Sequence, residues 1–229
     1  MPDNRVPVFT KKTMREQIAD ILRDQILHAD IAPGERIIEE DISKKYQVSR
    51  GPVREALRQI EEEGLVTYLP HRGCIVRTLT EDEMAEAYLI RSTLEGLAVQ
   101  VYSGKMSQRG IERLQQTIDD LREAAGKKDL YAIIEADERF HAGIVEEADL
   151  PRLYQMWKTL CSVNTCTYYT MKSENLMPYD VLGKNHQCIL NLFIENVGTN
   201  KIIEAIKEHY MVVPETLHKA QEGKTAEGE

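Results

Sequence analysis

Four side chains in the second half of the chain have the types and spacing to hold a divalent metal. Asp137 and His141 lie four residues apart, so they share one face of a helix drawn through residues 129–147. The apolar stripe of that helix is Ile133, Phe140 and Ile144, with Asp137 in its middle and His141 at its edge. Leu182, Ile189, Leu190 and Phe193 form a second stripe centred on His186. Ile202, Ile206 and Val213 form a third, with His209 among them. One carboxylate and three imidazoles therefore point inward from three helices. An isolated inward histidine is ordinarily just a hydrogen-bonded core residue, but a buried carboxylate is costly unless paired. An Asp-x3-His pair with two further inward histidines is the donor set a divalent cation takes. Zn²⁺ suits the imidazoles first, and Mn²⁺ or Ni²⁺ tolerates the same set. The remaining histidines behave as controls: His218 falls far from the inward stripe, and His28 and His71 belong to the first half.

The elements that position these residues read as a nearly unbroken succession of helices. Thr80 is an N-cap with Glu83 three residues on, a capping box that opens the first of them. Helices are expected over 81–103, 108–126, 129–147, 150–173, 180–196 and 199–219, with breaks at Gly104, Gly126, Pro151, Pro178 and Gly198. No strand pattern competes there, and the polar tail from Gln221 onward is expected to fray.

The first 78 residues carry a second kind of chemistry. Val53, Leu57 and Ile60 make one apolar stripe, and Arg50, Arg54 and Arg58 make a basic stripe beside it. Ser49 is placed to cap this helix, and Pro52 is tolerated only in its first turn, where a missing N–H costs no intrahelical bond. A short helix anchored along one side and lined with arginines along the next suits a DNA major groove. A solvated surface helix would carry the same arginines, so the flanking sequence decides. Residues 1–10 read as a flexible arm, Lys12 to Ala29 as a helix with Ile18, Ile21, Leu22 and Ile26 facing inward, and Glu39 to Tyr46 as a second, shorter one. The arginine helix runs from about Arg50 to Glu63, with Gly64 as its C-terminal cap. Residues 65–69 and 74–77 are β-prone around a turn at Pro70-His71-Arg72-Gly73, a hairpin with a basic tip.

Charge agrees with this division. The chain has 229 residues and a formal net charge of -9, which on its face argues against nucleic acid. Residues 1–78, however, carry 13 basic and 13 acidic side chains, and the whole deficit lies beyond them. Residues 44–58 carry five basic and one acidic side chain, and local phosphate neutralisation governs DNA affinity. No run approaches the roughly 18 apolar residues that span a bilayer, and no signal-peptide core is seen, so a cytoplasmic protein without a membrane partner is expected. Cys74, Cys161, Cys166 and Cys188 form no C-x-x-C pair and read as reduced thiols.

The landmarks of the first half, Ile31-Ala32-Pro33-Gly34-Glu35, Val48-Ser49-Arg50-Gly51-Pro52-Val53-Arg54-Glu55-Ala56-Leu57, Glu63-Gly64-Leu65-Val66 and Arg72-Gly73, resemble the GntR family of bacterial transcription factors. The resemblance implies a winged helix-turn-helix over 1–78 that meets palindromic double-stranded operator DNA as a homodimer. It implies contacts from Ser49, Arg50, Gly51 and Arg54, with Arg58 further along the same stripe, and from His71, Arg72 and Gly73 at the wing. Some members carry a base-reading arginine in the second helix where this chain has Glu40, so its operator differs or is read through fewer bases; Glu55 is expected to partner an arginine. The second half, 79–229, is similar to the all-α C-terminal domain (FCD) of the FadR-type branch, in which an Asp-x3-His and two later histidines bind metal. That similarity carries over to Asp137, His141, His186 and His209 and implies a small organic acid effector bound at the metal.

Three imidazoles and one carboxylate leave positions on an octahedral ion that such an acid would fill. Asn164 and Tyr168 share a stripe with Leu153, Trp157, Leu160 and Met171 and are candidate effector contacts. Arg91 either clamps a carboxylate or pairs with Glu95 on its own helix. The fold class expected is mostly α: a winged helix-turn-helix followed by an antiparallel helical bundle. Three functions compete. A ligand-responsive transcriptional regulator uses every feature. A metal-dependent hydrolase with a DNA-binding appendage would use the cluster to activate water, although no H-E-x-x-H or nucleophile motif accompanies it. A purely structural metal is the third.

Overall fold

The computed structural model describes residues 12–27, 30–69 and 73–227. These fall into two compact units that divide between Arg77 and Thr78. The expected arm over 1–10 lies outside the described residues, as do His71 and Arg72 at the hairpin tip.

In the first unit α1 (Met14–Leu27) packs on α3 (Arg50–Glu62), with α2 (Glu39–Tyr46) between them in sequence. Ile18, Leu22 and Ile26 of α1 meet Val53, Leu57 and Ile60 of α3 in the core, all 2% exposed or less. Ile21, expected to face inward, is instead on the outer side of α1, because it lies some 100° around the helix from Leu22. Arg23 ties the two helices together through a two-pronged pair with Glu63 at 2.6 and 2.7 Å. Between α2 and α3 the chain turns at Gln47, a non-glycine residue in the left-handed region with φ 54°. Ser49 occupies the N-cap position of α3 with extended backbone, but its hydroxyl closes no cap hydrogen bond. At the other end Gly64 takes φ 77°, and the Leu65 N–H returns to the Ile60 carbonyl, the left-handed stop that glycine accepts without strain.

The hairpin is β2 (Val66–Leu69) and β3 (Gly73–Val76), paired antiparallel from Val66 with Val76 to Leu69 with Gly73. A two-residue strand, β1 (Arg36–Ile37), adds to the far side of β3. Its sequence is too short to show an alternation, which is why it was not expected.

The second unit is helical throughout its described length: α4 (Glu81–Val101), α5 (Gln108–Lys127), α6 (Leu130–Glu146), α7 (Pro151–Lys158), α8 (Cys161–Ser173), α9 (Leu182–Ile194) and α10 (Thr199–Glu227). The capping box at Thr80 forms with both bonds: Glu83 N–H to Thr80 Oγ1 at 3.2 Å and Thr80 N–H to Glu83 Oε2 at 2.8 Å. α4 packs along α10, α5 along α6, and α9 beside α5. Gly143 lets α5 close on α6, since a Cβ there would lie 2.6 Å from Leu114 Cδ2. Two boundaries differ from expectation. The helix drawn over 150–173 is broken at Thr159 and Leu160 into α7 and α8, where the Leu160 and Val163 amides make three-residue turns rather than α-helical bonds. The backbone of α10 stays helical past Gln221 as far as Glu227. Phe140, Ile144, Leu114, Ile118, Leu190, Ile202 and Ile206 form the centre of the bundle core, each fully buried.

Candidate metal centre and DNA-reading helix

The helical period brings Asp137 and His141 (α6), His186 (α9) and His209 (α10) to one point inside the bundle. One donor atom from each lies within 4.8 Å of the others. Asp137, His141 and His186 are buried and His209 is half-buried. Asp137 Oδ1 is 2.9 Å from His186 Nε2 and 4.0 Å from His141 Nε2. The rings of His186 and His209 meet edge to face at 4.6 Å between centroids.

The donor chemistry fits a cation. His186 Nδ1 sits 2.8 Å from the Leu182 carbonyl, which can only accept, while its Nε2 faces the Asp137 carboxylate, which also accepts when ionised. That ring therefore either carries a proton on both nitrogens or gives its Nε2 side to a metal. Electrostatics point the same way. Burial alone would raise the Asp137 pKa, but the His186 hydrogen bond and the neighbouring imidazoles of His141 and His186 carry it far below the ordinary carboxylate range. Burial, with His186 and His141 as neighbours, pushes His209 well below the usual histidine value and keeps it a neutral donor. Burial also opposes charge on His141, and there the Glu95 carboxylate prevails and raises it.

Around the four donors lies a buried polar network. Asn164 Nδ2 donates to Asp137 Oδ2 at 2.7 Å and Tyr168 Oη donates to Asp137 Oδ1 at 2.8 Å. Tyr88 Oη donates to the Asn164 amide oxygen at 3.1 Å. Glu95 Oε2 lies 2.9 Å from His141 Nδ1, and its other oxygen accepts from Trp157 Nε1 at 2.9 Å and from Tyr210 Oη. A cavity of ≈ 60 Å³ opens beside the cluster, lined by Asp137, His141 and His209 with Tyr88, Asn164, Thr167 and Tyr168, and on its apolar side by Met171, Met177, Leu182 and Val213.

Asn164 and Tyr168 thus sit where the sequence suggested. Arg91 does not. It is fully buried, forks onto Glu138 of α6 at 2.9 and 3.2 Å, stacks 4.6 Å from the Trp157 ring and lies off the cavity lining. Its partner within the chain is Glu138 rather than Glu95, because the fork reaches across from α4 to α6. Glu95 and Tyr210 were not singled out beforehand. Glu95 falls in the inward series Tyr88, Ser92, Glu95, Val99, and a charged residue in such a stripe was the available signal.

In the first unit Arg50, Arg54 and Arg58 stand exposed along α3, and Gly51 at its start has no atom within 4 Å of where a Cβ would be. Arg50 pairs with Glu40 at 2.8 Å and Arg54 with Glu39 at 3.1 Å. Glu40 also holds Lys44, and Tyr68 Oη donates to Glu39. The arginine hydrogen bond holds Glu39 below its usual pKa. Glu55, expected to pair with an arginine, is exposed and makes no such pair among the described residues; Glu39 and Glu40 take that place from the preceding helix. Gly73 opens β3 with φ 77°.

An exposed arginine helix with a β-hairpin wing, followed by a helical bundle with a buried polar centre, is the architecture of a winged helix-turn-helix transcriptional regulator. Residues 14–76 match the family described as bacterial regulatory proteins, gntR family, and residues 86–210 match the FCD domain. The chain belongs to the GntR family and carries an FCD domain. It is similar to the HTH-type transcriptional repressor RspR of Escherichia coli, 26% identical over 210 residues that cover 91% of each chain. It is also similar to the probable D-xylose utilization operon transcriptional repressor of Paenarthrobacter nicotinovorans, 27% identical over 212 residues and 92% of each. A GntR regulator from Rhodococcus sp. RHA1 shares the fold with TM-score 0.70 at 22% identity, covering 90% of this chain and 99% of that one. No described helix is long and apolar enough to cross a membrane.

Proposed function

We propose that this protein is a repressor that binds a palindromic operator as a homodimer and is controlled by a small organic acid held at a divalent metal in the bundle. The observation that carries the reading is the Asp137, His141, His186 and His209 cluster opening directly on the cavity. Zn²⁺ is the first candidate ion, with Mn²⁺ and Ni²⁺ accepting the same donors. The metal supplies the positive charge that an incoming carboxylate needs, and Asn164 and Tyr168 offer neutral hydrogen-bonding groups beside it. Met171, Met177 and Val213 on the apolar side of the cavity favour an acid with an apolar end. DNA is met by Ser49, Arg50, Gly51, Arg54 and Arg58 along α3 and by the wing at Gly73, with His71 and Arg72 before it. Both relatives named above are described as repressors, which supports that direction of control.

Control requires the acid to bind the DNA-competent and incompetent arrangements with different affinity. The test is operator affinity of the Zn²⁺-loaded protein across a panel of short carboxylic acids. An acid that binds the bundle should change operator affinity about 5- to 150-fold; acids that bind with no change in operator affinity would remove the switch. A metal with no part in ligand response would show itself if chelation unfolded the bundle yet left effector binding intact.

A further inference from the structure

We propose that Glu95 is the positioning residue of the metal site, fixing the tautomer of His141 so that its Nε2 lone pair faces the other three donors. The inference rests on the metal reading above and extends it to a side chain that neither joins the cluster nor lines the cavity.

The direction of every hydrogen bond in the network follows from chemistry. Arg91 can only donate, and its Nε reaches Tyr210 Oη at 3.2 Å. The tyrosine oxygen therefore accepts from Arg91 and spends its own proton on Glu95 Oε1. Trp157 Nε1 can only donate, and it too points at Glu95 Oε1, 2.9 Å away. Both donors meet Oε1 as an acceptor, and a carboxylate accepts at its second oxygen as well. Its second oxygen then requires a donor, and the group 2.9 Å from it is His141 Nδ1. The proton of that ring is thereby assigned to Nδ1. The lone pair is left on Nε2, the atom that turns toward Asp137 Oδ1 at 4.0 Å. Were His141 the other tautomer, Nδ1 would oppose its lone pair to a buried carboxylate and Nε2 would present a hydrogen to the cluster.

Glu95 is fully buried, so solvent does not substitute for any of these partners. Its three donors come from α6, α7 and α10, and Tyr210 immediately follows the ligand His209. One carboxylate on α4 therefore orients one metal ligand directly and anchors the backbone neighbour of another. Carboxylates that hold a ligand imidazole in this way typically change metal affinity 10- to 100-fold when removed.

The experiment uses the full-length protein with ¹⁵N-labelled histidine. In the wild type, at a pH high enough for His141 to have lost its second proton, ring ¹⁵N shifts and one-bond couplings should show the neutral ring protonated at Nδ1 alone, with Zn²⁺ perturbing Nε2. Glu95→Gln should lower Zn²⁺ affinity about 10- to 100-fold in competition with a chromophoric chelator, with far-UV circular dichroism unchanged. Trp157→Phe, which removes one donor and leaves the His141 contact, should lower it by less. Wild-type protein that binds no Zn²⁺ removes the metal reading and this proposal together. If the wild type binds Zn²⁺ and folded Glu95→Gln binds it equally well, Glu95 loses its assigned role and the metal reading stands. If the variant does not fold, the wild-type spectrum decides alone: a neutral His141 ring protonated at Nε2, or a ring metallated at Nδ1, overturns the assignment.

Discussion

Arg50 of α3 is held by Glu40 of α2 at 2.8 Å, across the turn between the two helices. The pair is exposed on both sides, so solvent screening leaves it little weight in stability. Its consequence is for DNA: Arg50 must leave Glu40, or share it, before it meets a phosphate or a base. Glu40→Gln is expected to raise non-specific DNA affinity by up to about fivefold at low salt and to make the salt dependence steeper, because one more cation becomes available for counterion release. Fluorescence anisotropy on a random duplex at several salt concentrations reads both. A fall in affinity would instead mean that Glu40 orients Arg50 for its contact.

Metal binding should strengthen as pH rises. His141 has its pKa raised by Glu95, so the ring holds its second proton beyond the ordinary histidine value of about 6.5, and the metal must displace that proton. In the metal-free chain the sign is opposite for stability. A raised folded pKa gives stabilisation that is fully present below about pH 6.5 and is lost as pH rises through the folded value. The Zn²⁺-induced gain in Tm is therefore expected to be larger at pH 8 than at pH 6. Calorimetric titration in buffers of different ionisation enthalpy should register proton release; a gain in Tm independent of pH would contradict it.

Arg91→Met separates a lock from a clamp. The change leaves the Glu138 carboxylate without its forked partner and removes the cation stacked on Trp157. Loss of one partner of a buried pair costs about 3–5 kcal/mol, and partial exposure of Glu138 brings the expectation to the lower end. Because Arg91 does not line the cavity, the affinity of an acid for the Zn²⁺-loaded, folded variant should stay within about twofold of wild type. A large loss of acid binding at preserved metal affinity would restore Arg91 as a direct contact.

Gly143→Ala should destabilise the bundle by about 1–3 kcal/mol through overpacking, since the new methyl would come within 2.6 Å of Leu114 Cδ2. Urea unfolding of the metal-free protein measures it. Leu114→Ala in the same chain should recover part of the loss, and a variant as stable as wild type would show that α5 and α6 slide apart freely.

The parts of the molecule legible in the sequence were those set by local periodicity. Asp137, His141, His186 and His209 each occupy a position in a helical stripe, and a stripe is visible without knowing what it packs against. The α3 stripe of Val53, Leu57 and Ile60 was legible for the same reason. What escaped depends on partners distant in the chain. Arg91 finds Glu138 47 residues away, and nothing local distinguishes that fork from a carboxylate clamp. The joint at Thr159 and Leu160 contains neither glycine nor proline, so the break between α7 and α8 left no mark. β1 is two residues long and exists only because β3 has a free edge beside it.

That joint has a consequence for how the protein varies. The four candidate metal donors are carried by α6, α9 and α10, whereas Asn164 and Tyr168 ride on α8, which begins just after the break. One residue inserted at Thr159 or Leu160 would turn α8 by about 100° about its axis and carry both side chains away from Asp137, leaving every donor in place. On the proposed reading, the half of the site that would hold a metal and the half that would distinguish one acid from another are thus separately heritable. A lineage can exchange the signal it hears without rebuilding the receiver.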